Sequence, residues 1–403
     1  MRRLLALLAL VAAAVGVPSA RAAPADPLAD VQKVLDARTA AVAGRDRAAF
    51  LATVDPKAPA DFRKAQAQEF DGLVSLPLAS FALKATTEDT GDLGVGLAGR
   101  YGGVRVFLPE TRQIYRLAGY DDRDAVDHLW LTYVERDGHW YVAGDADLDA
   151  LGYQTDKQLW DFGPVQLQRS EHVLVLSHPE QAQRAAALAS LAEQAVAQLG
   201  GRWDQPWSGH VPMVLAGSVG ELERLLESTV DLDKFVAFAA YGVERDDGWV
   251  TTAPRIYVQD ARLSAYPPAN QVETLVHELT HVAAASLSGP LMPAWVQEGV
   301  ADWVATGRST SERRPAGGDA VLPRDYEMST GAQASIVRAY KESRSAISLL
   351  AARAGVGAPS AFLVRLGAAR EAPGSVDHNV DEALKASSGM TLDQFQAAWA
   401  GRR

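Results

Sequence analysis

The chain has 403 residues, of which 48% are hydrophobic and 22% are charged. This much apolar surface can form a core, so disorder over most of the chain is excluded, and the length favours two or three domains. The absence of Cys excludes disulfides, cysteine metal ligands and thiol catalysis, which leaves His, Asp, Glu and carbonyl groups for any metal. The formal net charge of -11 indicates no nucleic-acid partner, because a broad nucleic-acid surface needs an excess of Lys and Arg.

The first residues have the pattern of an export signal. A basic start at 1–3 precedes an apolar run without charge over 4–17, and 20–22 is the small-x-small pattern that signal peptidase cuts. The alternative is an N-terminal membrane anchor, but the run is shorter than the about 20 residues that a bilayer span needs. We therefore predict a signal peptide over 1–22, cleavage near Ala22/Ala23, a secreted or cell-envelope location and no stable membrane span in the mature chain.

Residues 23–160 predict an α+β domain. Apolar residues in 28–51 repeat at helical spacing, whereas 129–134 alternate as in a half-buried strand. The pair Asp137-Gly138 is a strong hairpin signal, because both residues tolerate the positive φ of a tight turn. This order of elements resembles the cone fold of nuclear transport factor 2-like domains, in which a helix and a curved antiparallel sheet enclose a cavity.

The cone-like resemblance implies a pocket in this first domain. His128, Tyr133 and His139, with nearby acids, are candidates to line it. The alternative is that they are polar groups on the exposed face of a half-buried sheet. The fold hosts enzymes and binding modules alike, so it leaves the role of this domain open.

A new α/β alternation predicts a second domain over 161–403. The runs 172–176 and 211–215 have the composition of strands, and the Ala-rich segment 180–199 that precedes Gly200 predicts a helix. The fold class expected for the whole chain is therefore α+β.

The most informative segment is His277-Glu278-Leu279-Thr280-His281, an H-E-x-x-H motif. Residues four apart on a helix share a face, so both imidazoles can bind one ion. Zinc accepts neutral His nitrogens at about 2.0–2.1 Å, and three protein ligands leave its fourth position for water. Glu278 lies beside the ligands without being one, so it can take a proton from the water that the ion activates.

The motif has the helical context that this geometry needs. Asn270 offers an N-cap, Glu273 is the matching acid three positions later, and an apolar stripe with a period near 3.6 follows. We therefore predict a half-buried helix over 271–287.

A second predicted helix supplies a third ligand. It begins after Pro293, and Glu298 lies 17 positions after His281, which leaves room for a turn and an antiparallel return. Asp302 is four positions further along the same face. Its carboxylate can accept the free ring N–H of a ligand His, for which His277 is the first choice.

With Glu298 and the Glu-x-x-x-Asp pair, the motif resembles the gluzincin branch of the zincin metallopeptidases. The segment 295–301 resembles the third-ligand helix of the bacterial peptidase MA-like families, and the likeness covers about residues 165–400. The metzincin branch would need a Gly and a third His where Ala284 and Leu287 stand. Within this likeness, only the His-Glu-Glu set is highly specific.

The resemblance implies an exported zinc-dependent metallopeptidase that hydrolyses peptide or protein substrates. One Zn²⁺ would be held by His277, His281 and Glu298, with Glu278 as general base. The alternative is a non-catalytic, zinc-stabilised scaffold whose N-terminal domain binds a partner or ligand. A third possibility is an enzyme kept latent by 23–160.

The resemblance also implies how substrate is held. It implies an edge strand before the motif helix, to which an extended peptide adds as a further strand, and 255–258 is the candidate. An interior core strand is the alternative for this run. A tyrosine that stabilises the oxyanion is expected too, with Tyr340 the first choice and Tyr326 the second.

Overall fold

The computed structural model describes residues 27–89, 96–227, 231–246, 248–289, 291–317, 320–369 and 376–402. The predicted signal peptide over 1–22 and its cleavage site lie outside these residues. The described residues form a mixed α+β structure, so the predicted fold class is confirmed. We call residues up to 160 the N-terminal half and the rest the C-terminal half.

The described residues of the N-terminal half include three helices and, after them, six strands. Its helices are α1 Pro27–Gly44, α2 Arg47–Ala52 and α3 Ala60–Ser75. Its strands are β1 Leu78–Asp89, β2 Val106–Phe107, β3 Pro109–Leu117, β4 Ala125–Leu129, β5 Thr132–Arg136 and β6 His139–Gly144. They form two antiparallel three-stranded sheets, in the orders β1-β3-β4 and β2-β5-β6.

The hairpin predicted at Asp137-Gly138 is confirmed. Both residues have positive φ, 51° and 78°, and they join β5 to β6. Two successive residues with positive φ give the turn a twist that matches the twist of the paired strands. The local sequence therefore determines the register of this hairpin.

The C-terminal half contains a five-stranded sheet in the order β10-β11-β9-β8-β7. The strands are β7 Gln166–Arg169, β8 Val173–Ser177, β9 Val211–Leu215, β10 Ala237–Asp246 and β11 Gly248–Val258. The three central strands are parallel, and the edge strands β7 and β10 pair antiparallel with their neighbours.

Helices accompany this sheet and follow it. They are α4 Leu159–Phe162, α5 Ala182–Gly200, α6 Val219–Leu226, α7 Asp260–Leu263, α8 Pro268–Ala284, α9 Ala294–Ala305, α10 Gln333–Ala354, α11 Ala358–Ala368, α12 Val376–Ser388 and α13 Leu392–Ala400. In the described part of the chain no single helix has the length and hydropathy to cross a membrane. The pair α10 and α11, bent by 109°, meets both criteria only when its members are taken together.

The motif helix α8 begins earlier than the sequence predicts. Its N-cap is Pro267, and Pro268 is the first helical residue, so the predicted N-cap at Asn270 is wrong. Proline suits this first position because its fixed φ is helical and its missing N–H would be unpaired there anyway. The helix ends at Ala284 and continues as a 3₁₀ turn over Ala285–Leu287, which gives the predicted C-terminal end.

The five-stranded sheet is buried on both faces. Successive residues of β8 point to opposite faces, so Val173 and Val175 join the core beneath α5 and α8, whereas Leu174 and Leu176 join a second core. This second core also contains residues of the N-terminal half. Those residues include Phe50, Phe70, Leu73, Tyr115, Leu159 and Trp160. The boundary predicted at residue 160 therefore falls inside a core that both halves share.

A buried ion pair crosses the same interface. Arg255 on β11 forms a two-pronged hydrogen bond with Asp121 of the N-terminal half, and its Nη2 lies 2.9 Å from Asp121 Oδ2. Burial alone would lower the pKa of Arg255, but the Asp121 carboxylate raises it above the usual value. Asp121 also accepts a 2.8 Å hydrogen bond from the Leu117 backbone N–H. The charged pair is therefore held in a fixed geometry between the halves.

Asp121→Asn should destabilise the chain by about 3 kcal/mol or more, because it leaves the Arg255 guanidinium buried without a carboxylate. The measurement is the free energy of unfolding from a urea titration. The control is Asp71→Asn, which removes the partner of Arg47 in an exposed pair and should cost at most about 1 kcal/mol. Equal losses in the two variants would contradict the importance of the buried pair.

Candidate functional site

The structure brings His277, His281 and Glu298 together between α8 and α9. The Nε2 atoms of the two histidines lie 3.1 Å apart. Glu298 Oε2 lies 3.2 Å from Nε2 of His277 and 3.4 Å from Nε2 of His281. Three atoms that can bind a metal therefore form one compact, half-buried triangle.

The triangle has the dimensions of one face of a tetrahedral zinc site. Ligands at about 2.0–2.1 Å from a central ion are separated by about 3.3–3.4 Å, and the three observed distances lie close to this value. Two imidazoles and one carboxylate are also the donor types that zinc accepts. The residues therefore fit a zinc ion in both chemistry and geometry.

Asp302 lies behind the first histidine, with its Oδ1 3.4 Å from His277 Nδ1. When the His277 imidazole is neutral, a carboxylate at this ring nitrogen favours the tautomer with the proton on Nδ1, which leaves the Nε2 lone pair directed into the triangle. Asp302 in turn lies 3.4 Å from Nη1 of Arg344, and Arg344 Nε donates a 2.7 Å hydrogen bond to Glu312. A chain of charges thus fixes the orientation of the His277 ring.

Arg344 was not among the residues predicted from the sequence. It lies on α10, four positions after Tyr340, so the two residues share one helix face. The four-residue spacing from Tyr340 was the sequence signal that could have identified Arg344. It could be interpreted only once the packing of α10 against α9 was known.

Glu298 and the two histidines of the triangle interact strongly through their charges. The positive potential of His281 and hydrogen bonds from both imidazoles hold the pKa of Glu298 well below its usual range, although burial alone would raise it. Burial alone would lower the pKa of His277, and the hydrogen bonds with Asp302 and Glu298 raise it well above its usual value. An ionised carboxylate is therefore present at the centre of the site.

Glu278 lies between the triangle and the edge strand β10. Its side chain is buried, and burial raises the pKa of the carboxyl. The Ala239 backbone N–H on β10 donates a hydrogen bond to it. Glu278 thus faces the cleft without being part of the triangle.

A cleft of about 910 Å³ runs past these groups. Its walls are β10 on one side and α10 on the other, and the triangle and Glu278 lie at its base. Further lining residues include Phe235, Phe238, Tyr241, Met328, Ile336 and Lys341. The volume falls in the range of about 300–1,000 Å³ that is typical of ligand sites.

The edge strand of this cleft is β10, so the prediction of an edge at 255–258 is wrong. Arg255–Val258 belongs to β11, which pairs with β10 on one side and, through residues 256–258, with β9 on the other. It is therefore the interior strand that the sequence left as the alternative. The strand β10 is hard to detect because its Ala-rich start, 237–240, lacks the alternation and the β-branched residues that indicate strands.

The two predicted tyrosines lie in different places. Tyr340 lines the cleft, with its ring 6.1 Å from the His277 ring and its hydroxyl donating to Glu298. Burial and the neighbouring Glu298 and Glu278 charges raise its pKa well above the usual value, so the hydroxyl keeps its proton. Tyr326, the second choice, is 60% exposed on the turn Asp325–Met328.

The three pocket candidates of the N-terminal half lie in three different environments. Tyr133 is fully buried in an apolar core and its hydroxyl pairs with Thr111. The His128 ring pairs with the Glu110 carboxylate, and His139 is exposed at the start of β6. Tyr133 therefore packs in a core, His128 pairs with a carboxylate and His139 lies at the surface.

The chain matches no family model, no curated protein and no solved structure. The chemistry of the site is therefore inferred from the arrangement of its own residues.

Gly299, next to Glu298, sets the distance between α9 and α10. A Cβ built on it would lie 2.8 Å from the Ser343 carbonyl oxygen and 2.9 Å from Ile347 Cγ1. Only a residue without a side chain allows this approach of the two helices. The position of Glu298 therefore depends on the glycine that follows it.

Gly299→Ala should push α9 away from α10 and destabilise the chain by about 1–3 kcal/mol, the usual cost of overpacking. Urea unfolding measures this loss. Gly220→Ala is the matched control, because Gly220 is also helical but has no atom within 4 Å of the added Cβ. The control should be neutral or stabilising, and a Gly299→Ala variant as stable as the control would contradict the role of close packing.

Proposed function

We propose that this chain is an exported zinc-dependent metallopeptidase that hydrolyses peptide bonds. The observation that supports the proposal most directly is the triangle of His277, His281 and Glu298, with a buried Glu278 beside it. A large cleft with an edge strand on one wall supports a peptide as the substrate. The proposal unites the predicted ligands, base and substrate type in one place.

His277, His281 and Glu298 would hold the zinc ion, which would supply Lewis acidity for activating water and polarising the scissile carbonyl. Asp302 orients His277 so that its Nε2 faces the ion. Glu278 takes the proton of the attacking water and delivers it to the leaving amine. Its position supports this role, because the Glu278 side chain lies beside the triangle at the base of the cleft and is held there by the Ala239 backbone N–H.

Two further groups act on the substrate in this proposal. The Tyr340 hydroxyl lies beside Glu298 and Glu278, where it can donate to the oxygen on which negative charge develops. The outer side of β10 offers backbone N–H and C=O groups to an extended peptide. Binding through the peptide backbone would align the scissile bond above Glu278, which already contacts Ala239 of this strand.

The N-terminal half belongs to the active protein in this proposal. The shared core and the Arg255–Asp121 pair favour this view over a removable latency domain, because cutting near residue 160 would expose apolar surface and a buried charge. We therefore expect activity in the intact mature chain.

The zinc-loaded chain should contain one zinc per molecule, measured by inductively coupled plasma mass spectrometry after dialysis. His281→Ala should lose most of it, because two ligands hold zinc much more weakly than three. His139→Ala, at an exposed histidine, is the control and should keep the metal. Full zinc retention in His281→Ala would refute the ligand assignment.

Glu278→Gln should keep its zinc and lose hydrolysis of a peptide library by a factor of about 10²–10⁴, because the base is removed while the ligands stay. The control Glu180→Gln changes an exposed carboxyl outside the cleft wall and should keep wild-type activity. Chelation by 1,10-phenanthroline should abolish the activity. A zinc-loaded wild-type chain that cleaves no peptide would instead support the scaffold alternative.

Tyr340→Phe should lower kcat by about 10²–10³ and leave KM nearly unchanged, since its hydroxyl would act on charge that develops only in the transition state. Steady-state kinetics on one cleaved peptide measures both constants. Tyr326→Phe, at the exposed second candidate, should match the wild type. Equal kcat values in the two variants would remove Tyr340 from the mechanism.

A further inference from the structure

A second cavity, of about 240 Å³, lies where the two halves meet. We call it the acidic cavity, because Asp127, Asp156 and Glu227 lie in its wall. Three aromatic residues, Tyr115, Tyr241 and Tyr257, also line it. None of these residues belongs to the zinc triangle or to the proposed catalytic machinery.

The two cationic side chains in this wall already have carboxylate partners outside it. Arg255 bonds to Asp121, and Lys157 Nζ lies 2.7 Å from Asp145 Oδ2. Each of these two pairs has no net charge. The remaining charged groups in the wall are carboxyl groups, so the net charge of the acidic cavity is negative. The cavity is therefore electrostatically suited to a cation.

The hydrogen bonds to Asp127 come from two neutral amides, Gln113 at 2.8 Å and Gln158 at 2.9 Å. Burial and the neighbouring Asp156 charge raise the pKa of Asp127 to about 7, although the two amide hydrogen bonds and the charge of Arg255 act in the opposite direction. Asp156 accepts a 2.7 Å hydrogen bond from the His128 backbone N–H and lies against Glu227. Burial and the hydrogen bond between Glu227 and Asp156 raise the pKa of Glu227, and a bound cation could take the place of the proton that the two carboxyls share.

One buried side chain in the wall of the same cavity, Thr252, has an unpartnered polar atom. Thr252 is 6% exposed, and its Oγ1 has no hydrogen-bond partner. A hydroxyl oxygen can accept from an ammonium or guanidinium N–H. Tyrosine ring faces attract the same organic cations. The carboxyls, the hydroxyl and the rings therefore point to one ligand chemistry, that of an organic ammonium or guanidinium group.

The acidic cavity lies close to the proposed active site along β10. Ala240 and Tyr241 line both the acidic cavity and the cleft, and Gly242 lines the acidic cavity. Ala239 contacts Glu278, and three residues of a strand cover about 10 Å. Alternate side chains of an added strand point toward the face that carries the acidic cavity.

We propose that the acidic cavity is a subsite for a cationic group of a peptide that lies along β10, about three residues from the scissile bond. The cationic group is a lysine or arginine side chain or a free N-terminal ammonium. As a statement about substrate choice, this inference rests on the proposed peptidase function. Binding of the cation itself does not require hydrolysis.

The test is a set of internally quenched peptides that share one scissile bond, with a single lysine moved through the positions on either side of it. Lysine at one position two to four residues from the bond should raise kcat/KM about tenfold over alanine there, mainly through KM, since a charge-assisted hydrogen bond contributes about 1.5 kcal/mol. Arginine should act like lysine, and glutamate at that position should lower kcat/KM. A profile without such a position overturns the proposal.

Variants assign the effect to the acidic cavity. Asp156→Asn with Glu227→Gln should remove the lysine preference and leave cleavage of the alanine peptide unchanged. Glu223→Gln, an exposed acid on α6 outside the cavity wall, is the matched control and should keep the preference. A lysine preference that survives the double variant overturns the proposal, and circular dichroism checks that the variants are folded.

Failure of the proposed function gives a different result. If the zinc-loaded chain cleaves none of the peptides, calorimetric binding of the lysine and alanine peptides to the Glu278→Gln chain decides the subsite. Tighter binding of the lysine peptide, lost in the double variant, retains it, and equal binding overturns it. Cadaverine tests the other source of an ammonium group, because a free diamine that binds as tightly as the lysine peptide overturns a peptide subsite.

Discussion

Burial of the five-stranded sheet on both faces is the constraint on which the rest of the structure depends. Helices α5 and α8 cover one face, and the N-terminal half covers the other through a shared apolar core and the buried Arg255–Asp121 pair. Parallel strands need cover on both faces because both carry apolar side chains. The N-terminal half is thus structurally part of the sheet that supports the candidate site.

This arrangement leaves the outer side of β10 free to form one wall of the cleft. The helix α8 packs on the sheet through its apolar stripe, which directs Glu278 toward Ala239 and both histidines toward α9. The close approach of α9 and α10 at Gly299 then positions Glu298 against the histidines. Packing contacts outside the cleft therefore position each part of the site. Substitutions on the cleft surface should leave these contacts, and the geometry of the site, unchanged.

Much of the site could be predicted from local spacing. The i and i+4 histidines share a helix face wherever that helix packs, and Asp302 shares a face with Glu298 for the same reason. The Asp137-Gly138 turn was equally local. The predictions of an N-cap at Asn270 and of an edge strand at 255–258 were wrong. The first concerned the boundary of a helix, and the second depended on which strand pairs with 255–258. A proline three residues earlier began the helix, and an Ala-rich strand covered the expected edge.

The sequence by itself determined the α+β class, the two site helices and the set of donor residues, since these follow from periodicity and residue chemistry over short segments. Only the tertiary structure decided that β10 is the edge strand, that Arg344 supports Asp302, and that Asp127, Asp156 and Glu227 meet in one cavity. These residues are separated by up to about a hundred positions in the chain, so their proximity depends on how the two halves pack. Spacing along a chain carries no information about such contacts.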